Sequence, residues 1–332
     1  MSSKTKAKPT VDVLGIGLIS QDHGIAVPQL EADARVLATG HRFSPGGMAA
    51  TAMATLAKLG YQTALLGAVG ADPIGKSLRE QLAAAGVDVS GVRVDKNAVT
   101  QTAICIASGQ GHRSIIGLDH ASAPPLEPSD LSKAHVALAG RARAVHTDGW
   151  HAEASVPLLL AARQAGVLTS VDAGWVAPQI EPLCVLADIL FVSRDFAAHI
   201  AGKRTAERQL GRLLDWLGDA ITRSTDLPSG TKRWVGITYG SSGSIGTEAV
   251  WQSGRLDMGP FSRQGAMPID PVDTTGAGDV YHAALIDGHL RGLSLIEAMR
   301  WASAAAALAC LALGAQTALP APAAIKKALA DW

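Results

Sequence analysis

The chain has 332 residues, of which 48% are hydrophobic and only 4% aromatic, so its core must consist mainly of alanine and aliphatic side chains. Lysine plus arginine and aspartate plus glutamate number 29 each, and this balance argues against nucleic acid or an anionic membrane as a partner. The three cysteines, Cys105, Cys184 and Cys310, are too scattered for a disulfide framework or a zinc site, and they predict a reducing, cytoplasmic location.

The most polar and the most apolar segments of the sequence give further expectations. Residues 1–10 are polar and basic, which predicts a disordered tail, and no apolar stretch typical of a signal peptide follows them. The longest apolar segment, 301–315, is shorter than the roughly 20 residues that a membrane-spanning helix needs. We therefore expect a soluble protein.

From residue 11 onward, short β-rich runs alternate with longer helical ones. Residues 11–18 and 63–69 predict buried strands, and residues 48–60 and 74–86 predict helices that end at a glycine. Later strand candidates are RAVHTDG, VLTSVDAG, DILFVS and RWVGITYG, and SVPLLLAARQAG (155–166) is the clearest of the helices between them. Repeated strand–helix units predict a doubly wound α/β fold, with a mostly parallel sheet covered by helices on both faces.

Two segments break this alternation. Residues 24–45 and 95–120 contain strand-like alternating runs with a Gly-Gln-Gly turn and no helical period. They predict hairpin strands inserted into the α/β core, where they are well placed to form a lid. Because there is no internal repeat or low-complexity linker, the sequence predicts a single domain over 11–330 with a discontinuous lid.

Residues 70–77, GADPIGKS, match the Walker A pattern of a P-loop letter for letter. The context is acceptable, since a strand is predicted before the motif and a helix after it. However, Pro73 lacks one N–H donor and Asp72 would place a carboxylate near the phosphates. Gly15 and Gly17 are no better, because Ser20 stands where a dinucleotide-binding fingerprint needs a third glycine.

A better phosphate site is predicted in VDTTGAGDVYHAALIDGHLRG (272–292). Gly276, Ala277 and Gly278 open a helix and have little or no side chain, so a phosphoryl group can approach the backbone closely. The helix N-terminus adds unpaired N–H donors and about half a positive charge. Asp279 lies in the first turn, where its carboxylate can accept the proton of an attacking hydroxyl. Taken alone, the motif is better explained by a turn and a carboxylate that complements the helix dipole.

Three motifs together resemble those of the PfkB (ribokinase-like) carbohydrate kinases. DTTGAGD resembles their C-terminal signature, and SPGGMAATAMATLAKLG (44–60) resembles their N-terminal signature. Residues 65–92 contain the Gly-x-Asp-x-x-Gly loop that is usual after the second strand, so the Lys-Ser ending of GADPIGKS is a coincidence. The resemblance covers residues 11 to 320. It implies a ribokinase-like fold, phosphoryl transfer from Mg-ATP to a sugar, and a homodimer formed through the lid.

The resemblance also implies roles for individual residues around the acceptor. Asp279 matches the catalytic base of the family, and residues 276–278 match its anion hole. Asp22, in GLISQD, matches the acid that binds sugar hydroxyls. Gly46 and Gly47 match the pair that lets the sugar lie against the backbone.

On the nucleotide side, ITYGSSGS (237–244) resembles the strand and turn that cover the nucleotide. The implied nucleotide-binding residues are Thr238, Gly240, Gly243 and Thr275. An alanine-rich helix over 294–313 would line the adenine pocket, although plain core packing explains its small residues equally well. Ser294 and Glu297 form a capping box that predicts where this helix begins.

A monovalent cation such as K⁺ is a further implied ligand. Asp273 and Thr275 match positions that help to hold this cation beside the anion hole in many members of the family. The remaining ligands would come from the loop near Leu313, Ala315 and Thr317.

Two departures from the family pattern concern the sugar and the metal. Thr51 stands where the family has a sugar-binding asparagine, so the contacts to the sugar must differ. The Asn-x-x-Glu motif that organises Mg²⁺ falls at Ser193–Phe196, and both motif residues are missing. The segment FVSRDFAAHIAG is similar to that of ketohexokinases, which suggests that the loss need not abolish activity. Asp195 is a candidate to assist the metal, but an exposed loop residue is the more economical interpretation.

A third departure concerns an anionic substrate. HTDGWHAE (146–153) resembles the corresponding segment of bacterial sulfofructose kinases. Gly117 and Gly149 nevertheless stand where a basic or amide side chain would be expected to bind a sulfonate. His112 and Arg113, in the predicted lid, are the side chains that could reach the site instead.

These observations predict an ATP-dependent kinase that phosphorylates a hydroxyl of a ketose or a related sugar. A nucleoside kinase or a 2-keto-3-deoxy-acid kinase of the same fold is the alternative among enzymes. The missing Asn-x-x-Glu motif leaves open a different class, a catalytically silent regulator that binds sugar or nucleotide. The intact Asp279 and its glycines argue against such a regulator.

Overall fold

The computed structural model describes residues 11–332 except 31, 32, 34, 110, 111, 119–121, 123, 178, 225 and 226. The disordered tail predicted for residues 1–10 lies outside the described residues. The strands are β1 (Val13–Ile16), β2 (Ser20–Val27), β3 (Gly40–Gly46), β4 (Thr63–Gly70), β5 (Val87–Asp88), β6 (Val92–Asp95), β7 (Thr102–Ser108), β8 (His112–Gly117), β9 (Ala144–Thr147), β10 (Leu168–Ala173), β11 (Ile189–Ser193), β12 (Thr231–Thr238), β13 (Ser244–Gln252), β14 (Arg255–Met258) and β15 (Ser262–Gln264). The α-helices are α1 (Met48–Lys58), α2 (Pro73–Ala84), α3 (Lys133–Ala139), α4 (Ala152–Gln164), α5 (Ile180–Leu186), α6 (Arg194–Ala201), α7 (Ala206–Ser224), α8 (Ala277–Leu290), α9 (Leu295–Ala309) and α10 (Pro322–Ala330).

A large sheet forms the centre of the molecule, with the strand order β14-β13-β12-β11-β10-β9-β1-β4-β5. The strands from β12 to β5 are parallel to their neighbours, whereas β13 is antiparallel to β12, β14 and β15. The central strands are almost fully buried, as expected for parallel strands with helices on both faces.

Each face of the sheet has its own apolar core. One core includes Leu158 of α4, Leu183 of α5 and Leu213 of α7. The other includes Met53 of α1 and Ile286 of α8, and it extends to α9 and α10. The predicted doubly wound α/β architecture is therefore confirmed. None of the described helices has the combination of length and hydrophobicity needed to cross a membrane.

A second, four-stranded sheet has the order β3-β2-β7-β8 and is built from the two segments that break the strand–helix alternation. Its boundaries differ from those expected from the sequence, 24–45 and 95–120. It begins at Ser20 because β2 follows β1 after only three residues, and it resumes at Thr102 because β6 pairs with β4 in the large sheet.

The two faces of this small sheet differ in character, since side chains alternate between the faces of a strand. Asp22, Cys105 and Arg113 project from the inner face, where Asp22 and Cys105 are buried. Phe43 and Ile116 project from the outer face together with His23 and Ile104, which lie between them in register. Phe43 is 57% exposed and Ile116 48% exposed, so this outer face is apolar and open.

The alanine-rich helix predicted over 294–313 is shorter than expected. Ser294 and Glu297 do form the predicted capping box, with a 2.9 Å bond from the Ser294 amide to Glu297 Oε2. The helix ends at Ala309, however, and turns follow. The Cys310 carbonyl accepts the amides of Val272 (2.9 Å) and Asp273 (3.2 Å), so it is used outside the helix at the point where the helix ends.

The Walker A-like stretch is a capped helix start. Asp72 Oδ1 accepts hydrogen bonds from the Gly75 amide (2.7 Å) and the Thr100 hydroxyl (2.8 Å), and its Oδ2 accepts one from the Thr100 amide (2.7 Å). The carboxylate thus occupies the N-terminus of α2, where a P-loop would hold phosphate. The Lys76 side chain is 78% exposed and only 3.9 Å from Glu80. This geometry agrees with the interpretation that the Lys-Ser ending is a coincidence.

Candidate active site

The N-terminus of α8 is built to accept an anion. Gly276, its N-cap, has a φ of +79°, and a Cβ there would lie 2.8 Å from the Ala315 Cβ, so only glycine fits. A Cβ on Gly278 would meet no atom within 4 Å, which shows open space beside its Cα. The Ala277 amide makes only a long 3.3 Å bond to Thr274 O. Because first-turn amides have no acceptor within their own helix, they are available to a bound phosphoryl group.

Asp279 lies in the first turn of α8 and is half-buried. Burial raises the pKa of its carboxyl well above the usual range, and the nearby charges of Asp172 and Asp148 raise it further. Arg113 acts in the opposite direction but does not cancel these effects. A carboxylate with a raised pKa is a stronger base than a free aspartate, which suits proton abstraction from a hydroxyl.

Arg113 connects the small sheet to this helix terminus. It projects from β8 and its Nη1 donates to the backbone oxygen (3.0 Å) and the hydroxyl (3.3 Å) of Thr274. His112, its neighbour in the strand, projects to the opposite face of the sheet. Of the two lid side chains expected to reach the site, the structure therefore brings Arg113 there.

Asp22 and the two glycines meet at the junction of the two sheets. The Asp22 carboxylate accepts a 3.0 Å bond from the Ser20 hydroxyl and packs directly against Gly46, where any Cβ would collide with it. Gly47 has a φ of +92° and lies against Leu18 O. Burial raises the pKa of Asp22 to about 6. Asp22 also raises the pKa of Asp279, so the two carboxyls belong to one electrostatic site.

Thr51 lies beneath this junction rather than on its surface. It is completely buried in α1, and its hydroxyl accepts a 3.2 Å hydrogen bond from Gln316 Nε2. Its role in this conformation is to connect α1 to the loop after α9. A direct contact between Thr51 and substrate would require this bond to break.

Sequence reasoning missed Asp148, a fully buried carboxylate at the end of β9. It accepts hydrogen bonds from the amides of Leu18 (2.8 Å), Ala49 (2.9 Å) and Trp150 (2.9 Å). Burial raises the pKa of its carboxyl to about 6. The signal was present, because this aspartate directly follows a predicted parallel strand and therefore lies at the edge where such sheets bind ligands.

A second missed group is the buried pair formed by Asp172, near the end of β10, and His282 in α8. His282 Nε2 lies 3.2 Å from Asp172 Oδ1, and the side chains are 3% and 7% exposed. Burial alone would raise the pKa of Asp172, but His282 holds it below its usual value. The His146 ring lies 6.2 Å from that of His282, and burial lowers the pKa of His146 to about 3. His146 is thus neutral, and Asp172 remains charged beneath Asp279.

The turn between β12 and β13 lies on the nucleotide side of the predicted site. Gly243, with a φ of +85°, packs against Gln264 O, and its own oxygen accepts a 2.8 Å bond from the Tyr239 amide. Gly240 has a φ of +59° and open space around its Cβ position. Thr238 ends β12, and its hydroxyl is 3.5 Å from Val192 O. The turn is therefore closed by its own hydrogen bond and is open to solvent at Gly240.

Asp273 connects the anion-hole loop to the loop after α9. Its Oδ1 accepts the Thr275 amide and its Oδ2 the Gly314 amide, each at 2.9 Å. The buried Thr275 hydroxyl lies near Cys105, and the Thr317 hydroxyl donates to Leu313 O at 2.9 Å. Carboxylate, hydroxyl and carbonyl oxygens are ligands that hard cations prefer, so these residues fit a monovalent cation.

The residues at the position of the magnesium motif do not fit a metal. Ser193 caps α6 by accepting the Phe196 amide at 3.1 Å, and Phe196 is buried against Trp216. The Asp195 side chain is 89% exposed and pairs with Arg194. Within the described part of the chain, no group of three or more histidine, cysteine or acidic side chains is placed to hold a metal ion.

Comparison with known proteins identifies the class. The model of the pfkB family carbohydrate kinases matches residues 11–322, so the chain belongs to this family. A fructokinase from Salmonella typhimurium is 31% identical over 83% of this chain and 89% of its own length. An ATP-dependent ribose-1-phosphate kinase from Halopiger xanaduensis is 28% identical over 93% and 95%. A nucleoside kinase from Methanothermobacter thermautotrophicus is 27% identical over 97% and 96%.

Solved structures agree with this assignment. Ribokinase from Arabidopsis thaliana, solved with ribose and ATP, is 25% identical and superposes with a TM-score of 0.76 over 96% of this chain and 98% of its own. Ribokinase from Giardia lamblia, at 18% identity, shares the fold with a TM-score of 0.80 over 97% and 100%. The protein is therefore a ribokinase-like phosphotransferase with an alcohol group as acceptor, of the sugar or nucleoside kinase type.

Proposed function

We propose that the protein is an ATP-dependent kinase that transfers the γ-phosphoryl group of Mg-ATP to a sugar hydroxyl, with Asp279 as general base. The observation that supports this most directly is the position of Asp279. Its raised-pKa carboxyl lies in the first turn of the helix that has open space beside Gly278 at its N-terminus. The base and the anion hole are thus parts of one helix terminus.

The proposed reaction is an in-line displacement. Asp279 accepts the proton of the acceptor hydroxyl as its oxygen bonds to the γ-phosphorus, the bond to the β–γ bridging oxygen breaks, and ADP leaves. The amides of residues 276–279 stabilise the negative charge on the migrating phosphoryl group. Arg113, held at Thr274, adds a positive charge at the same point when the small sheet covers the site.

In this proposal, the sugar and the nucleotide bind on opposite sides of this helix terminus. Asp22 would accept hydrogen bonds from sugar hydroxyls, which would lie against Gly46 and Gly47, and the buried Asp148 would hold the amides of Leu18 and Ala49 in place beside them. The nucleotide would lie on the other side, against the turn at Gly240 and Gly243. Thr238 and Thr275 flank that surface, and Asp273 with Thr275 would hold a K⁺ ion beside the anion hole. Mg²⁺ would enter with the ATP phosphates.

Two acceptor classes compete within this proposal. The similarity of residues 191–202 to ketohexokinases and the fructokinase relative favour a ketose or a related sugar. The nucleoside kinase relative favours a sugar that carries a base, and an aromatic pair beside Asp148 points in the same direction. A 2-keto-3-deoxy acid is less well served, because Arg113, a cation that the described residues bring to the site, is already bound to Thr274 at the start of α8.

We further propose that the small sheet acts as a lid and that its outer face forms a homodimer. Closing the lid would exclude water, which otherwise competes with the sugar as phosphoryl acceptor. The apolar outer face formed by Phe43 and Ile116 is the surface available to a second copy. All three cysteines are free and buried, which supports a reducing compartment such as the cytoplasm.

The test is ADP release from Mg-ATP with a panel of ketoses, aldoses, keto-deoxy acids and nucleosides. We expect turnover on one acceptor class, with saturation in both substrates. A control variant, Asp215→Asn, changes an exposed residue of α7 and should retain full turnover. Binding of sugar or ATP without ADP release on any acceptor would contradict the proposal and leave a silent regulator as the better explanation.

A further inference from the structure

Two tryptophans form an exposed aromatic pair on neighbouring loops. The rings of Trp150 and Trp175 lie 5.8 Å apart, centre to centre, at an angle of 44°. Trp150 is half-buried, whereas Trp175 is 38% exposed and its neighbour Val176 is 44% exposed. Aromatic residues make up only 4% of this chain, so a pair of tryptophans left open to solvent is an unusual use of them.

Trp150 is attached to the acceptor side of the proposed site. Its amide donates a 2.9 Å hydrogen bond to Asp148 Oδ1. The other oxygen of this carboxylate accepts the amides of Leu18, which precedes the small sheet, and of Ala49, in the first turn of α1. Asp148 also raises the pKa of Asp279, which places it close to the proposed base.

Trp175 reaches the same region from the next strand. It follows Gly174, and a Cβ on Gly174 would lie 3.2 Å from Asp172 Oδ1 and 3.6 Å from Met48 Sδ. Met48 follows Gly47 directly and opens α1. Since β9 and β10 are parallel neighbours, the loops that carry the two tryptophans leave the same edge of the sheet.

We propose that Trp150 and Trp175 form a subsite for a planar ring attached to the acceptor sugar, as in a nucleoside. Asp22 would bind the sugar hydroxyls while the ring stacks on the exposed indole of Trp175. An indole face stacks on any flat ring without hydrogen-bond readout, so the subsite selects for the presence of a ring rather than its identity. This inference rests on the proposed phosphoryl transfer and names the class of its acceptor.

Core packing explains Trp175 less well than the other tryptophans. Trp251 and Trp301 are buried at 7% and 4% exposure, and Trp216 and Trp332 are half-buried, whereas Trp175 is 38% exposed. Stacking on one exposed aromatic side chain changes affinity by about 5- to 100-fold in other proteins, which is large enough to decide between acceptors.

Calorimetric titration tests the subsite independently of catalysis. The ligands are methyl β-ribofuranoside, phenyl β-ribofuranoside and inosine, and the proteins are wild type, Trp150→Leu, Trp175→Leu and Trp332→Leu. Trp332, at the C-terminus, packs on Arg300 and serves as the matched control. We expect the ring-bearing ligands to bind wild type and Trp332→Leu at least about tenfold more tightly than the methyl riboside. The advantage should fall below about threefold in Trp175→Leu, while the affinity for the methyl riboside stays the same.

The outcomes separate the subsite from the proposed function. Tight binding of both inosine and the phenyl riboside would support a subsite for any flat ring, whereas tight binding of inosine alone would contradict it. Equal affinities of wild type for all three ligands, or an advantage that survives in both Trp150→Leu and Trp175→Leu, would overturn the subsite. ADP release with bare sugars would then still support the kinase, whereas a ring advantage without ADP release on any acceptor would retain the subsite and contradict the kinase.

Discussion

At the scale of single residues, the site is a concentration of carboxylates with little positive charge. Asp22, Asp148, Asp172 and Asp279 influence one another electrostatically, and burial is the main cause of the raised pKa of three of them. Only Asp172 keeps a lowered pKa, because His282 lies against it. The free protein thus holds Asp279 as a base that is protonated more readily than an ordinary aspartate.

The pH dependence of kcat/KM should reflect this arrangement. Asp279 must be unprotonated to act, so activity should fall as the pH decreases through its raised pKa. Asp172→Asn removes a negative charge that opposes ionisation of Asp279, so the pKa of Asp279 should decrease and the acidic limb should move to lower pH. The measurement is a kcat/KM profile of wild type and Asp172→Asn.

The control for that profile is Asp215→Asn, whose exposed side chain lies on α7. It should leave the acidic limb in place. An acidic limb that is identical in wild type and Asp172→Asn would contradict the assignment of the limb to Asp279.

At the scale of elements, the sequence predicted the architecture and the glycine-rich start of α8 but not the buried polar cluster beside it. Glycines at helix ends and apolar β-rich runs are local signals, so the strand–helix alternation and the start of α8 could be read from them. The cluster of Asp148, Asp172 and His282 depends on which strands become neighbours, and strand order is not encoded locally. The helix predicted over 294–313 is too long for the same reason, because the Cys310 carbonyl at its true end accepts the amides of Val272 and Asp273 from a distant part of the chain.

The start of α2 gives a test that separates a capped helix from a P-loop. Asp72→Ala removes the N-cap and leaves the Thr100 hydroxyl and amide without their acceptor. We expect the free energy of unfolding to fall by about 1–2 kcal/mol, measured by urea denaturation. Lys76→Ala should change neither stability nor the KM for ATP, because its side chain is exposed. A tenfold or larger rise in that KM would show that this stretch binds phosphate after all.

At the scale of the whole molecule, we expect the two faces of the small sheet to have different functions. Its inner face presents Asp22 and Arg113 to the site, and its outer face is an open apolar surface. A sheet face that is apolar and exposed is usually covered by another protein surface. Lid function and dimer formation are therefore expected to depend on the same four strands.

Light scattering on size-exclusion fractions tests the dimer. We expect wild type to elute as a dimer and Phe43→Asp to elute as a monomer, because the charge replaces the most exposed apolar side chain of the outer row, which stacks on His23. Leu160→Asp places a charge on α4, at another exposed apolar position, and should leave the dimer intact. A monomeric wild type, or a dimeric Phe43→Asp, would contradict this assignment of the outer face.

The central claim is that Asp279 is the general base, and its most direct test is the effect of Asp279→Asn on kcat and on ATP affinity measured separately. The amides at the start of α8 do not depend on this side chain, so the Kd for ATP should stay within about threefold of wild type. Loss of the base should lower kcat by about 100-fold or more on the acceptor identified by the panel, with an unchanged melting temperature. A kcat within about tenfold of wild type in a folded Asp279→Asn variant would contradict the proposed mechanism.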